Sequence, residues 1–245
     1  MVIDGTTFLV LAVLFLATLI RSAFGFGEAL VAVPLLALLM PVEVAAPVAV
    51  LVSITVAAVI LLQDWRHVQL QSAWRLVVST LFGIPLGLLM LINVEESVVK
   101  ALLAVVIMSF SALCLIRRHP WRLKSDRLAW FFGFGAGVLG GAYGMNGPPL
   151  VIYGALRGWS PAHFRATLQG YFLPASIVVT AGYWSAGLWT SDVTKYFLLA
   201  LVPVLGAILL GRVAHHRLNG PAFIVYIYVG LIVIGIVLFV QSVTI

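Results

Sequence analysis

Apolar positions fill this chain in long unbroken stretches, and polar positions gather in the short gaps between them. Six stretches, near residues 44–62, 73–92, 98–116, 167–186, 195–213 and 222–241, are each long enough to cross a bilayer, which takes about 20 helical residues. None alternates polar and apolar residues as the strands of a membrane barrel do, so each is predicted to be a helix. Two further regions read differently. Residues 6–40 hold an apolar run, a break at Arg21–Glu28, and a second run of 13 residues ending at Met40. Residues 128–157 hold a run of 15, a break at 143–147, and a run of about 10. At 1.5 Å per residue such short arms reach only about 15–22 Å, less than the ~30 Å hydrocarbon core. Each region is predicted to be a helical hairpin that enters the membrane and turns back, its tip near the midplane. Ten ordinary crossing helices, some short or tilted, are the alternative.

The two breaks look like copies of each other. Ser22-Ala23-Phe24-Gly25-Phe26-Gly27-Glu28-Ala29 and Gly141-Ala142-Tyr143-Gly144-Met145-Asn146-Gly147-Pro148 lie 119 positions apart. Weaker echoes recur at nearly the same offset, Trp65 with Trp184 and Pro85 with Pro203. The chain therefore divides into a first repeat, 1–116, a basic linker, 117–127, and a second repeat, 128–245. The predicted fold is an all-α polytopic membrane protein, each half being one broken hairpin plus three transmembrane helices. Broken helices at matching places in two halves are the best sequence pointer to a transporter's binding site.

Composition agrees with the pattern. Of 245 residues, 63% are hydrophobic and only 9% charged, where a soluble domain carries about 25% charge. The net charge of +6 is not a nucleic-acid signal, because the basic residues sit between apolar runs, as topology control requires. With the N-terminus placed outside, loops 63–75, 117–127, 157–166 and 212–221 fall inside and hold 11 of the 14 Lys and Arg residues. Lys100 and Lys195 fall outside, together with Asp4, Glu43, Glu95, Glu96 and Asp192. This charge distribution predicts a multi-pass membrane protein with both termini outside and its two halves in opposite orientation, an inverted repeat. Trp65, Trp121, Trp159, Trp184 and Trp189 are expected at the interfaces. Asp4 and the lack of a basic n-region predict that the first apolar run is retained.

The breaks carry the candidate chemistry. A broken helix leaves backbone N–H groups unpaired at the start of its second half, and with the helix dipole these form an anion site. Gly25, Gly27, Gly144 and Gly147 would let a ligand approach the backbone. Pro148 suits a first helical turn, and Asn146 is a cap or a ligand contact. Ser22, Phe26, Tyr143 and Met145 complete the two tips. Arg21 is a candidate anion ligand through a charge-assisted contact. Glu28 is a candidate proton carrier, since charges at membrane depth are expensive and usually functional; the alternative is that the two simply pair. Gln169 and Tyr171 begin the crossing run after the second hairpin and are further candidates, whereas Ser53 and Thr55 are expected to bond their own helix. Gly133, Gly137 and Gly141 on one run, and Gly83 and Gly87 on another, are spaced for close helix packing.

Other functions find little support. No Walker A motif or dinucleotide fingerprint is present. His67, His119, His163, His215 and His216 lack metal-ligand spacing, Cys114 stands alone, and no nucleophile has a base. No enzyme activity, cofactor or metal is predicted.

Gly25-Phe26-Gly27 with Pro34, the second copy Gly144-Met145-Asn146-Gly147-Pro148-Pro149, the two-half layout and the length resemble the TauE/SafE family of sulfite exporters over nearly the whole chain. The resemblance implies export of a small sulfur-containing anion, such as sulfite, sulfoacetate or another organosulfonate, across the bacterial inner membrane, driven by the proton gradient. The first copy departs from the second in carrying Glu28-Ala29 where the second has Gly147-Pro148. The expected function is thus a secondary transporter working by alternating access. A channel-like anion pore, or a permease for a non-sulfur solute, is the alternative.

Overall fold

The computed structural model describes residues 4–64, 70–116, 123, 125–159, 161–218 and 221–244. It is all-helical over these residues. Ten α-helices run in order: α1 (Gly5–Phe24), α2 (Glu28–Leu36), α3 (Val42–Asp64), α4 (Leu70–Asn93), α5 (Glu96–Ile116), α6 (Ala129–Tyr143), α7 (Gly147–Arg157), α8 (Pro161–Ser185), α9 (Ser191–Leu218) and α10 (Pro221–Thr244). The six long apolar stretches become α3, α4, α5, α8, α9 and α10. Five helical segments, Gly5–Ala23, Val42–Leu62, Trp74–Asn93, Glu96–Ile116 and Ser191–Gly211, are long and apolar enough to cross a membrane. Many large apolar side chains are exposed, among them Phe82 and Leu89 on α4, Val202 and Leu209 on α9, and Val233 and Val240 on α10. Such a surface suits lipid and not water.

Both breaks are real. α1 ends where Gly25 takes a left-handed conformation (φ 84°) and its N–H returns to the Arg21 carbonyl at 2.6 Å. α6 ends in the same way at Gly144 (φ 66°), whose N–H bonds the Gly140 carbonyl at 2.9 Å. The half-helices beyond the breaks, α2 with 9 residues and α7 with 11, rise only about 13 and 16 Å. The 13-residue run of the first hairpin is therefore a short helix plus a turn at 37–40.

Helix pairing has a regularity. α4 packs on α6, and α9 packs on α1; α4 packs on α8, and α9 on α3; α5 meets α10, and α3 meets α8. Exchanging α1–α5 with α6–α10 leaves this set of pairs unchanged. The α4–α6 seam is the most extensive, and glycine makes it so. The two predicted ladders face each other: a Cβ on Gly83, Gly87, Gly137 or Gly141 would overlap backbone of the opposite helix, and one on Gly133 would overlap Ser79 and Leu76. Thr80 adds a hydroxyl bond to the Gly133 carbonyl at 2.8 Å.

The end of the linker folds onto the second hairpin. Asp126 accepts a hydrogen bond from the Tyr153 hydroxyl (2.8 Å) and pairs with Arg157 (3.0 Å) and Arg75 (3.6 Å). Arg157 also donates to the Leu123 carbonyl at 2.8 Å. Trp184 and Trp189 stack at the α8–α9 turn, both with exposed faces. Trp65, Trp121, His67, His119, Arg66, Arg117, Arg118, Arg122 and Lys124 lie outside the described residues, as do the side chains of His163, Arg165, Arg212, His215, His216 and Arg217.

The seam gives a sharp test. Gly137→Val should destabilise the protein by about 1–3 kcal/mol through overpacking. Gly135→Ala, two positions away with nothing within 4 Å of its Cβ, should be neutral or slightly stabilising, alanine being the better helix former. Thermal melts of the two variants in detergent check this; equal melting temperatures would contradict the seam.

Candidate functional site

Arg21 lies on the last turn of α1, is 2% exposed, and sits among groups from four helices. Its Nη1 donates to the Glu28 carboxylate at the start of α2 and to Ser53 Oγ on α3 at 2.6 Å. Its Nη2 donates to Gln169 Oε1 on α8 at 3.0 Å. The Phe172 ring, one turn along α8, lies 4.9 Å from the guanidinium carbon. Glu28 is also 2% exposed, and its second oxygen accepts from Thr18 Oγ1 at 3.5 Å. A charge in this setting is tolerated only when paired and hydrogen-bonded, and each member of this group supplies part of that requirement. Arg21 Nε nevertheless has no protein partner, so the guanidinium has not spent all five of its donors.

Gln169 has a double role. While its carbonyl oxygen accepts from Arg21, its amide donates to the Gly25 carbonyl at 2.9 Å. It thus fastens α8 both to the charge and to the backbone at the break.

The two tips and this cluster enclose a cavity. Its walls include Arg21, Phe26, Gly27 and Glu28 from the first break, Met145, Asn146, Gly147 and Pro148 from the second, and Ser53, Phe110, Val151 and Phe172 from elsewhere. Its volume is about 20 Å³, room for one water-sized group. The tips do not offer the same chemistry. The first helical bond of α2 runs from the Val31 N–H to the Gly27 carbonyl at 3.1 Å, and no side chain caps this end. The N–H groups of Glu28, Ala29 and Leu30, all cavity-lining, are therefore without helical acceptors. At the start of α7, Pro148 and Pro149 have no N–H to offer. The first tip is a donor cradle, the second a mainly apolar cover.

Several predicted residues lie elsewhere. Tyr143 is 1% exposed, and its hydroxyl donates to the Val99 carbonyl at 3.1 Å. Gly144 is pressed against Ala46 and Val50 of α3. Ser22 packs toward Gly211 of α9, its hydroxyl unpartnered. Tyr171 shares a hydrogen bond with Thr80 at 2.5 Å, on the α4 side of α8. Gly25 contributes its carbonyl to Gln169 and does not line the cavity. In the other direction, Ser53, expected to bond its own helix, instead accepts from Arg21, and Phe110, Val151 and Phe172 were not among the predicted site residues. Phe172 alone could have been found, because it lies at i+3 from Gln169 and shares its helix face.

Helices long enough to span a bilayer, two broken helices meeting at a buried charge pair, and a lipid-compatible exterior define a polytopic membrane protein of transporter type. The chain belongs to the sulfite exporter TauE/SafE family, whose profile matches residues 10–238. No curated protein and no solved structure matches it.

The ion pair makes a prediction about stability. Arg21→Gln strands a buried carboxylate and should cost about 3–5 kcal/mol, and Glu28→Gln should cost a similar amount by stranding the guanidinium. The double variant should lose much less than the two single losses together. Chemical denaturation of the four proteins in detergent measures the coupling; full additivity would mean that the pair is not energetically linked.

Proposed function

We propose that this protein is a secondary transporter exporting a small sulfur-containing anion, such as sulfite or an organosulfonate, across the inner membrane by alternating access. One observation carries the reading. A buried arginine, with three backbone N–H groups beside it that have no helical acceptor, is neutralised by a carboxylate of the protein itself. Glu28 stands where an anionic substrate would stand. An oxyanion with several oxygens does not fit a cavity of about 20 Å³ while Glu28 holds Arg21, so binding requires Glu28 to give way.

The exchange has an electrostatic consequence. Arg21 and Glu28 together are neutral. If an anion takes Arg21 and Glu28 stays ionised, a net negative charge is left in a low-dielectric interior, at a cost of several kcal/mol. Uptake of one proton by Glu28 restores neutrality. Anion binding and protonation are thereby linked at one site. The loaded and the empty site then carry the same net charge, so the membrane potential does no net work on a monovalent anion that moves together with its proton. A cavity with room for only one water-sized group favours a carrier over a continuous pore.

Thermal shift of the purified protein against sulfite, thiosulfate, sulfoacetate, taurine, sulfate and acetate tests the substrate class. At 100 times the dissociation constant, a bound anion should add about 2.7 kcal/mol, and Arg21→Gln should remove that gain. A shift only with a non-sulfur solute would replace the substrate while leaving the transporter reading. Proton linkage is tested separately in weakly buffered solution. Anion addition should take up close to one proton per site in the native protein and none in Glu28→Gln. Anion binding with no proton uptake in either would remove Glu28 from the coupling.

A further inference from the structure

The two half-helices are not held alike. α2 packs against α3, α5 and α10. Its residues Ala32, Val33 and Leu36, with Ala37 just beyond, are 0–1% exposed. The same offset of 119 that relates the breaks carries these four onto Val151, Ile152, Ala155 and Leu156 of α7. None of those four is buried; Ala155 is exposed and the others are half-buried. They face a cavity of about 400 Å³, whose remaining walls among the described residues are Leu113 and Cys114 near the end of α5 and Tyr228 in the first third of α10. Under exchange of the halves, this cavity occupies the place where α2 is sealed against α10 and α5. The major helix pairs are symmetric under the exchange, and the surroundings of the two half-helices are not.

The cavity also adjoins the candidate site. Val151 lines both spaces. Phe110 lines the site and Tyr228 the cavity, and their rings meet edge to face at 5.9 Å. Val151 and this aromatic pair are the partition between them. The opposite face of α7 carries Tyr153 and Arg157, fastened to Asp126. The half-helix is thus held on one side and free on the other.

We infer that α7 is the moving gate of the site, and that the structure has it open toward the side on which α5 ends and α10 begins. In the alternate state α7 closes onto α5 and α10, emptying the cavity, while α2 withdraws from its own partners and exposes Ala32, Val33 and Leu36 on the other side. This rests on the alternating-access reading above and adds to it which elements move, which side is open, and which residues form the partition.

The chain has a single cysteine, and it lines the cavity, so the native protein is its own reporter. Cys114 should react with a membrane-impermeant thiol reagent applied from the side of the linker. Reaction only with a lipid-soluble maleimide would mean that the cavity belongs to lipid, and would overturn the proposal. The movement is tested by Ala155→Cys, which sets a second thiol across the cavity from Cys114. Oxidation with copper phenanthroline should join the two and hold α7 closed, and dithiothreitol should reverse it. In a protein also carrying Ala32→Cys, the thiol at position 32 should then label at least tenfold faster than before oxidation. Absence of the disulfide, or unchanged labelling at position 32 once it has formed, would overturn the gate. These readouts need no substrate, so they succeed or fail independently of which anion is carried.

Discussion

One charge at membrane depth organises the structure. Arg21 cannot be left unpaired in a hydrocarbon-like interior, and no single neighbouring helix supplies enough acceptors. The chain meets this with Glu28 after the first break, Ser53 from α3 and Gln169 from α8, so that three separate stretches of sequence must converge for α1 to be stable where it is. The break itself arises from the same need. An unbroken helix would place residue 28 nearly two turns beyond residue 21, whereas two left-handed glycines, Gly25 and Gly27, fold the carboxylate back onto the guanidinium. The first hairpin is as much the housing of an ion pair as it is a candidate binding tip.

Much of the architecture was legible because membrane helices announce themselves. Long apolar runs leave few alternatives, and the predicted α3, α4, α5, α8, α9 and α10 differ from the observed helices mainly in length at their ends, where polar residues extend a helix past its apolar portion. The glycine ladders were legible for the same reason, since four-residue spacing of glycines on a helix serves close approach. Side-chain direction was not. Tyr143 and Tyr171 sit in suggestive places, yet each hydroxyl is claimed by a group on another helix, Val99 on α5 and Thr80 on α4. That outcome depends on the rotation of helices about their axes, which a nearly uniform apolar sequence does not encode strongly. Ser53 was passed over because a membrane serine usually bonds its own helix; here an arginine offers a stronger partner.

The resemblance between the two breaks also concealed a difference in chemistry. Both bend the chain with a left-handed glycine at the same relative position. The half-helices then begin differently, with a glutamate and free N–H groups in the first and two prolines without them in the second. The geometry is duplicated and the charge is not, so the proposed site has a polar floor and an apolar cover where a symmetric pair of tips would have given two half-sites of equal character.

The α4–α6 seam has a mechanical consequence. At Gly83, Gly87, Gly137 and Gly141 its helices touch backbone to backbone, which leaves little room to tilt or slide. α6 is thereby as immobile as α4, and α1 is held in a comparable way where Ser22 meets Gly211 of α9. At the frame side, displacement of α7 would be taken up within residues 144–146 and displacement of α2 within residues 25–27, with the turns into α8 and α3 following at the other end. In the proposed movement the first arm of each hairpin stays with a stiff frame, and the second arm is a short rod slung between two joints, one at the break and one at the turn into the next helix.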